Sequence, residues 1–269
     1  MGSVLKICDV GRWAPEKSRS SALLCGLLVV MLVPSVLFGC ASVGRKTGAG
    51  QPPWEAVSVR EKPQQGWWAV RFKLHWPDGT EPLWYMDSLL AHRVVSPVLQ
   101  LHKNHLVLWR FHRRASRDQA GHQFSFLFYS SPVAARKIYA DIKSDKTLQK
   151  LKRAGAVTGD SYDDIERFSK PRTEDTSDRH WSTNLQKSWP YFIMGVSQTW
   201  LSLIELAAAD ATNDCYPSSI GELQALYIKI NDSINRLWRK EGGHAFLHHL
   251  NAVFGYAPVE VYEKRQMSF

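Results

Sequence analysis

Apolar and polar residues alternate with a period of two in several stretches between residues 67 and 130. In WWAVRFKLHW, residues 67–76, Trp68, Val70, Phe72, Leu74 and Trp76 fall on one side and Arg71, Lys73 and His75 on the other. That is the pattern of a half-buried strand, and Pro77-Asp78-Gly79 closes it with turn-forming residues. The alternation returns in HLVLWRFHRR, where Val107, Trp109 and Phe111 oppose Leu108, Arg110 and His112. In GHQFSFLFYS, Phe124, Phe126 and Phe128 oppose Gln123, Ser125, Leu127 and Tyr129. A short polar loop joins these two runs, which predicts a hairpin.

Helical spacing fills the gaps between the strands. Leu89, Leu90, Val94, Val95, Val98 and Leu101 mark a helix within 83–101 that Pro97 should kink or break. Pro132 opens a second helix, striped by Val133, Ile138, Leu148 and Leu151, which Gly155 should end. A further strand is expected around 157–165. The order strand, helix, strand, strand, helix, strand over residues 54–168 predicts an α+β, ferredoxin-like (split βαβ) antiparallel sheet with helices on one face.

Residues 169–188 are polar and read as a connector to a C-terminal helical subdomain, 189–269. There Ser188 should cap a helix with Pro190 in its first turn. Ser219 and Glu222 have the spacing of a capping box for a helix through Trp238. Gly242-Gly243 should end that helix, and His244–Phe254 should fold back as a last one.

The longest apolar run lies at the other end. Residues 22–39 carry no charge, and Lys6, Arg12, Lys17 and Arg19 outnumber Asp9 and Glu16 ahead of them. This suits an export signal or a membrane span alike. Pro34 and the small residues around Cys40 favour cleavage. Leu37-Phe38-Gly39-Cys40 resembles the lipobox of bacterial lipoprotein precursors, with Phe38 departing from the small or aliphatic residue usual there. The resemblance implies a signal peptide over 1–39, a diacylglycerol thioether on Cys40 that becomes the N-terminus, and a flexible tether over 40–53. An uncleaved anchor and ordinary cleavage remain alternatives. A lipoprotein of this kind sits on the cell membrane facing the periplasm. In a Gram-negative cell Ala41, rather than Asp, points to the outer membrane.

Cleavage would leave Cys215 as the only thiol outside Cys40, so no internal disulfide is expected. The formal charge is +9. Loss of four bases and two acids with the signal leaves +7. Such a body suits anionic head groups or an anionic ligand, and export argues against nucleic acid. Alternation puts Arg71, Lys73, His75, Arg110, His112, Gln123, Ser125 and Tyr129 on the sheet face away from the helices. Several cations with amide and hydroxyl groups there can hold a carboxylate, phosphate or sulfate; a plain solvated face, or one covered by C-terminal helices, fits the same pattern. His244 and His248, four apart with His249 and Glu241 adjacent, have the spacing of a metal pair, and His102 and His105 form a second pair. H-E-x-x-H, C-x-x-C, G-x-S-x-G and P-loop motifs are absent, and no cofactor is called for. Two readings follow: a lipid-anchored binding or assembly module for an anionic ligand or an envelope protein, and a membrane-tethered, His-metal enzyme.

Overall fold

A computed structural model of the protein describes residues 64–211, 217 and 219–258. Cys40, the 40–53 tether and Cys215 lie outside the described residues. Those described belong to one compact unit, Ser58–Phe269. Strands β1 (Gly66–Leu74), β2 (Leu108–Ala115), β3 (His122–Ser130) and β4 (Val157–Tyr162) form an antiparallel sheet in the order β2-β3-β1-β4. The helices are α1 (Trp84–Leu90), α2 (Ser96–His102), α3 (Pro132–Ser144), α4 (Lys146–Arg153), α5 (Thr183–Ala211), α6 (Ile220–Gly242) and α7 (His249–Val253). The protein is therefore α+β with a C-terminal helical part.

The central strands β1 and β3 carry the apolar alternation. Trp68, Val70, Phe72, Phe124, Phe126 and Phe128 are buried with residues of α1–α4, each such side chain contributing about 1.5–3 kcal/mol. Leu201, Ile204 and Ala208 of α5 and Tyr227, Ile230 and Ile234 of α6 lie in this same cluster. The C-terminal helices thus share the core of the sheet instead of building their own. By length and composition α5 is apolar enough to cross a membrane, but part of its apolar surface is used here, and its Glu205 accepts a hydrogen bond from Ser96 Oγ at 2.8 Å.

The interruption expected at Pro97 is present: Pro97 falls in the first turn of α2, where its missing N–H is tolerated, and Ala91–Val95, between α1 and α2, widen into a π-turn. Other boundaries differ from the sequence-based expectation. The helix expected from Pro132 through residue 154 divides at Asp145, which is extended (ψ 126°) and caps α4 by accepting from Leu148 N–H. α5 begins seven residues ahead of Pro190, which lies inside it and is buried. Pro190 leaves the Gln186 carbonyl without its helical donor, and Ser177 Oγ donates to that carbonyl at 2.7 Å. Ser219 and Glu222 do form a reciprocal capping box.

Gly242 and Gly243 take right-handed helical angles (φ −60° and −59°), so the chain runs through them into a π-turn, Gly243–His248, and α7. A glycine permits a stop without imposing one. The segment does not fold back: nothing in 243–258 is buried.

Candidate anion-binding face

Registers decide which side chains share the face opposite α1–α4. One row crosses all four strands as His112, Ser125, Arg71 and Ser161; the next holds Arg114, Gln123, Lys73 and Gly159. Arg110 lies beside Leu127 in the row on the other side. Six of the sequence-predicted residues, Arg71, Lys73, Arg110, His112, Gln123 and Ser125, are thereby within two rows of one another, because direct cross-strand partners project to the same side.

The far end of this face is closed. Trp67, Leu108 and Tyr129 are buried together with Leu127 and Met194 against them. The connector crosses above: Trp67 Nε1 donates to Thr173 O at 2.8 Å, and Tyr129 O–H to Pro171 O at 2.5 Å. Tyr129 is thus separated from the open rows, its hydroxyl held by a backbone carbonyl and its pKa raised by burial. His75 lies past the end of β1, exposed.

At the open end, the turn joining β2 to β3 and the turn after β1 border an open cavity of about 460 Å³, lined in part by Lys73, His75, Trp76, Arg117, Asp118 and His122. A register shift between Lys73 and Leu74 leaves Thr158 at its rim, hydroxyl to Lys73 O at 3.2 Å. Most charges here are already partnered. Arg117 sits 3.5 Å from the Trp76 ring centroid and donates to Pro77 O, Thr80 O and Asp78 Oδ1 at 3.0, 2.9 and 3.2 Å. Arg114 donates to both oxygens of Asp118, at 3.1 and 2.5 Å. With the Gly121 and Ala120 N–H groups, this holds the Asp118 carboxyl down at about 2. Arg71 pairs with Asp163 at 2.6 Å.

Lys73, Arg110 and His112 have no carboxylate partner among the described residues; Lys73 Nζ donates only to Gln119 O, at 3.2 Å. His112 is exposed at its rim position, and its pKa is lowered by partial burial and then by Arg110 and Arg114. Arg110 is half-buried, its guanidinium pushed down by burial. Its Nη2 reaches Thr176 O at 3.4 Å, while its Nε and the Thr176 hydroxyl are both buried without a hydrogen-bond partner. A buried donor left this way costs about 1–3 kcal/mol. Two such groups fall together where the connector meets β2.

Behind the cavity, on the helix face, lies a network the sequence reading missed. Asp87 of α1, fully buried, accepts from Arg113 Nε at 2.8 Å and His122 Nε2 at 3.0 Å. Arg113 also donates to Trp84 O at 3.0 Å and stacks between Trp84 and Trp200, 5.1 and 4.6 Å from the ring centroids. The available signal was Asp87 itself: an acid at an apolar position of WYMDSLL must find a cation if it is to be buried. The network ties α1 and α5 to the β2–β3 hairpin.

Both histidine pairs stay close, the His102 and His105 ring centroids lying 6.4 Å apart. Buried His102 pairs with Asp141 of α3 at 2.6 Å, a packing role. His244 and His248 are exposed and stack nearly parallel, centroids 5.1 Å apart with His249 5.3 Å from each. No group of three or more His, Cys, Asp or Glu among the described residues is disposed to hold a metal ion. Edge strand β2 is protected by α5, whose Ser197 Oγ accepts from Phe111 N–H at 3.1 Å. Comparison with known proteins returns no match: no family model, no curated protein and no solved structure is significantly similar to this chain.

Proposed function

We propose that the protein is a lipid-anchored cell-envelope binding module, held to the periplasmic side of a membrane through Cys40, that takes a carboxylate-, phosphate- or sulfate-bearing ligand on its basic sheet face. The observation that carries the ligand reading is the buried, unpartnered Nε of Arg110 beside the unpartnered Thr176 hydroxyl. Lys73 and His112 add unneutralised donors on the same face. An anion there would supply the missing acceptor and receive a charge-assisted hydrogen bond. In the fold, β3 lies between β1 and β2, which are joined through α1 and α2. This arrangement supports a ferredoxin-like split βαβ reading of the sheet domain.

The ligand reading is tested with inorganic phosphate, sulfate and acetate, titrated while the Arg110 Nε–H signal is followed by nitrogen NMR. A saturable shift is expected, lost in Arg110→Lys, which keeps the charge and removes Nε. Because protonation of His112 adds a cation, affinity should rise as pH falls below the ordinary histidine value, and this dependence should vanish in His112→Gln. An unmoved Arg110 signal, or binding unchanged in Arg110→Lys, would overturn the reading. The anchor is tested apart from the ligand: cells fed labelled fatty acid should label the parent chain and not Cys40→Ala.

A further inference from the structure

The apolar stripe of α6 outlasts the body it packs against. Tyr227, Ile230 and Ile234 fill the core at helical spacing, and Trp238, one turn on and on the same side, is 52 % exposed. Beneath it is Gly242, where a Cβ would come within 2.8 Å of the indole, so glycine lets the ring lie along the helix. Trp238 then stacks on Phe246, centroids 6.0 Å apart at 18°. Beyond these, Leu247, Leu250, Val253 (81 % exposed) and Phe254 (69 % exposed) continue the apolar character to Tyr256. No residue of the π-turn or of α7 is buried. The opposite side of the helix end carries Arg236 and Lys240, and its flank Arg239, with Glu241 the one acid between residues 233 and 258.

We infer that the end of α6, the π-turn and α7 dock on an anionic lipid surface, with Trp238, Phe246, Leu250 and Val253 entering the headgroup–acyl boundary and Arg236, Arg239 and Lys240 facing the head groups. Trp and Phe on one side with Lys and Arg on the other is the composition of helices that lie in a membrane interface, and Trp and Tyr at the limits of the segment suit the headgroup level. Charge selects this occupant over a second copy of the chain, which is equally basic at +9. The nearness of a bilayer rests on the lipid-anchor reading; the docking chemistry does not require acylation. Each of the three cations should shift the balance of docked and undocked states about fivefold in anionic membranes.

The test uses the full chain with its four cysteines replaced by alanine, reconstituted into vesicles containing phosphatidylglycerol or phosphatidylcholine alone. A spin label is placed at Val253→Cys, with Ser233→Cys, on the far side of α6 from Trp238, as the control. In anionic vesicles the label at residue 253 should lose accessibility to a water-soluble nickel complex and gain it to oxygen, while the label at 233 should not. Replacing Arg236, Arg239 and Lys240 by Gln should return residue 253 toward water. The inference is overturned if the residue 253 label stays nickel-accessible in anionic vesicles. It is equally overturned if withdrawal is the same in neutral vesicles and unaffected by the three Gln substitutions, or if the label is shielded without lipid in a concentration-dependent way, which would give the face to a second copy. Because Cys40 is absent from these chains, a failed fatty-acid label would overturn the anchor reading and leave this result standing.

Discussion

Removing either ion of the Asp87–Arg113 pair should destabilise the fold strongly, and the two removals should not be equal. Asp87 is 0 % exposed, whereas Arg113 retains 29 % of its side-chain surface. Breaking a buried pair costs about 3–5 kcal/mol because the remaining charge has no compensation. Arg113→Ala leaves the carboxylate sealed with only His122 against it and also removes the guanidinium from between Trp84 and Trp200. Asp87→Ala leaves a guanidinium that partly reaches water. The expected order is therefore Arg113→Ala at the upper end of that range and Asp87→Ala at the lower. For a body of this size these losses correspond to roughly 2–4 °C in Tm per kcal/mol. The double variant should cost less than the sum of the singles by at least about 1 kcal/mol, because each single leaves an orphan that the double does not. Urea unfolding of the four chains, followed by tryptophan fluorescence with the slope checked for constancy, measures all three quantities. A loss below about 1 kcal/mol for Arg113→Ala, or strict additivity, would refute the burial argument.

Two further outcomes follow from local hydrogen bonds. Ser177→Ala removes the donor to the Gln186 carbonyl that Pro190 leaves unpaired, and should cost about 0.5–1.5 kcal/mol with faster amide exchange confined to the start of α5. Adding Pro190→Ala should restore most of that loss, and no restoration would refute the pairing. The turn between β2 and β3 should loosen in acid. Asp118, held down at about 2 by Arg114 and the Gly121 and Ala120 N–H groups, contributes stability present above the ordinary carboxylate value of about 3.8. That contribution is lost as pH falls through about 2. Protection of the Ala120 and Gly121 amides, taken relative to their intrinsic exchange rates, should fall across that window and stay flat in Asp118→Asn, and a fall beginning above pH 5 in the parent would contradict the assignment.

Period-two alternation was enough to assign the strands around Phe72, Phe111 and Phe126 and to place Arg71, Lys73, Arg110, His112, Gln123 and Ser125 on one side, because the side to which a residue projects follows from local backbone geometry. The Ser219–Glu222 cap was legible for the same reason, its partners being three residues apart. The pairings that make or close a site were not. Arg71 meets Asp163 across 92 positions, Phe111 N–H meets Ser197 across 86, and Tyr129 is roofed by a connector whose polar composition says nothing of where it lies. Glycines at 242 and 243 and the proline at 190 misled: a glycine permits a helical conformation as well as a stop, and the effect of a proline depends on which donor a neighbouring segment supplies to the carbonyl it orphans, as Ser177 does for Gln186. Local periodicity thus determined which residues share a face, and long-range packing alone decided that Arg110 has a buried nitrogen without an acceptor while the arginines beside it are paired.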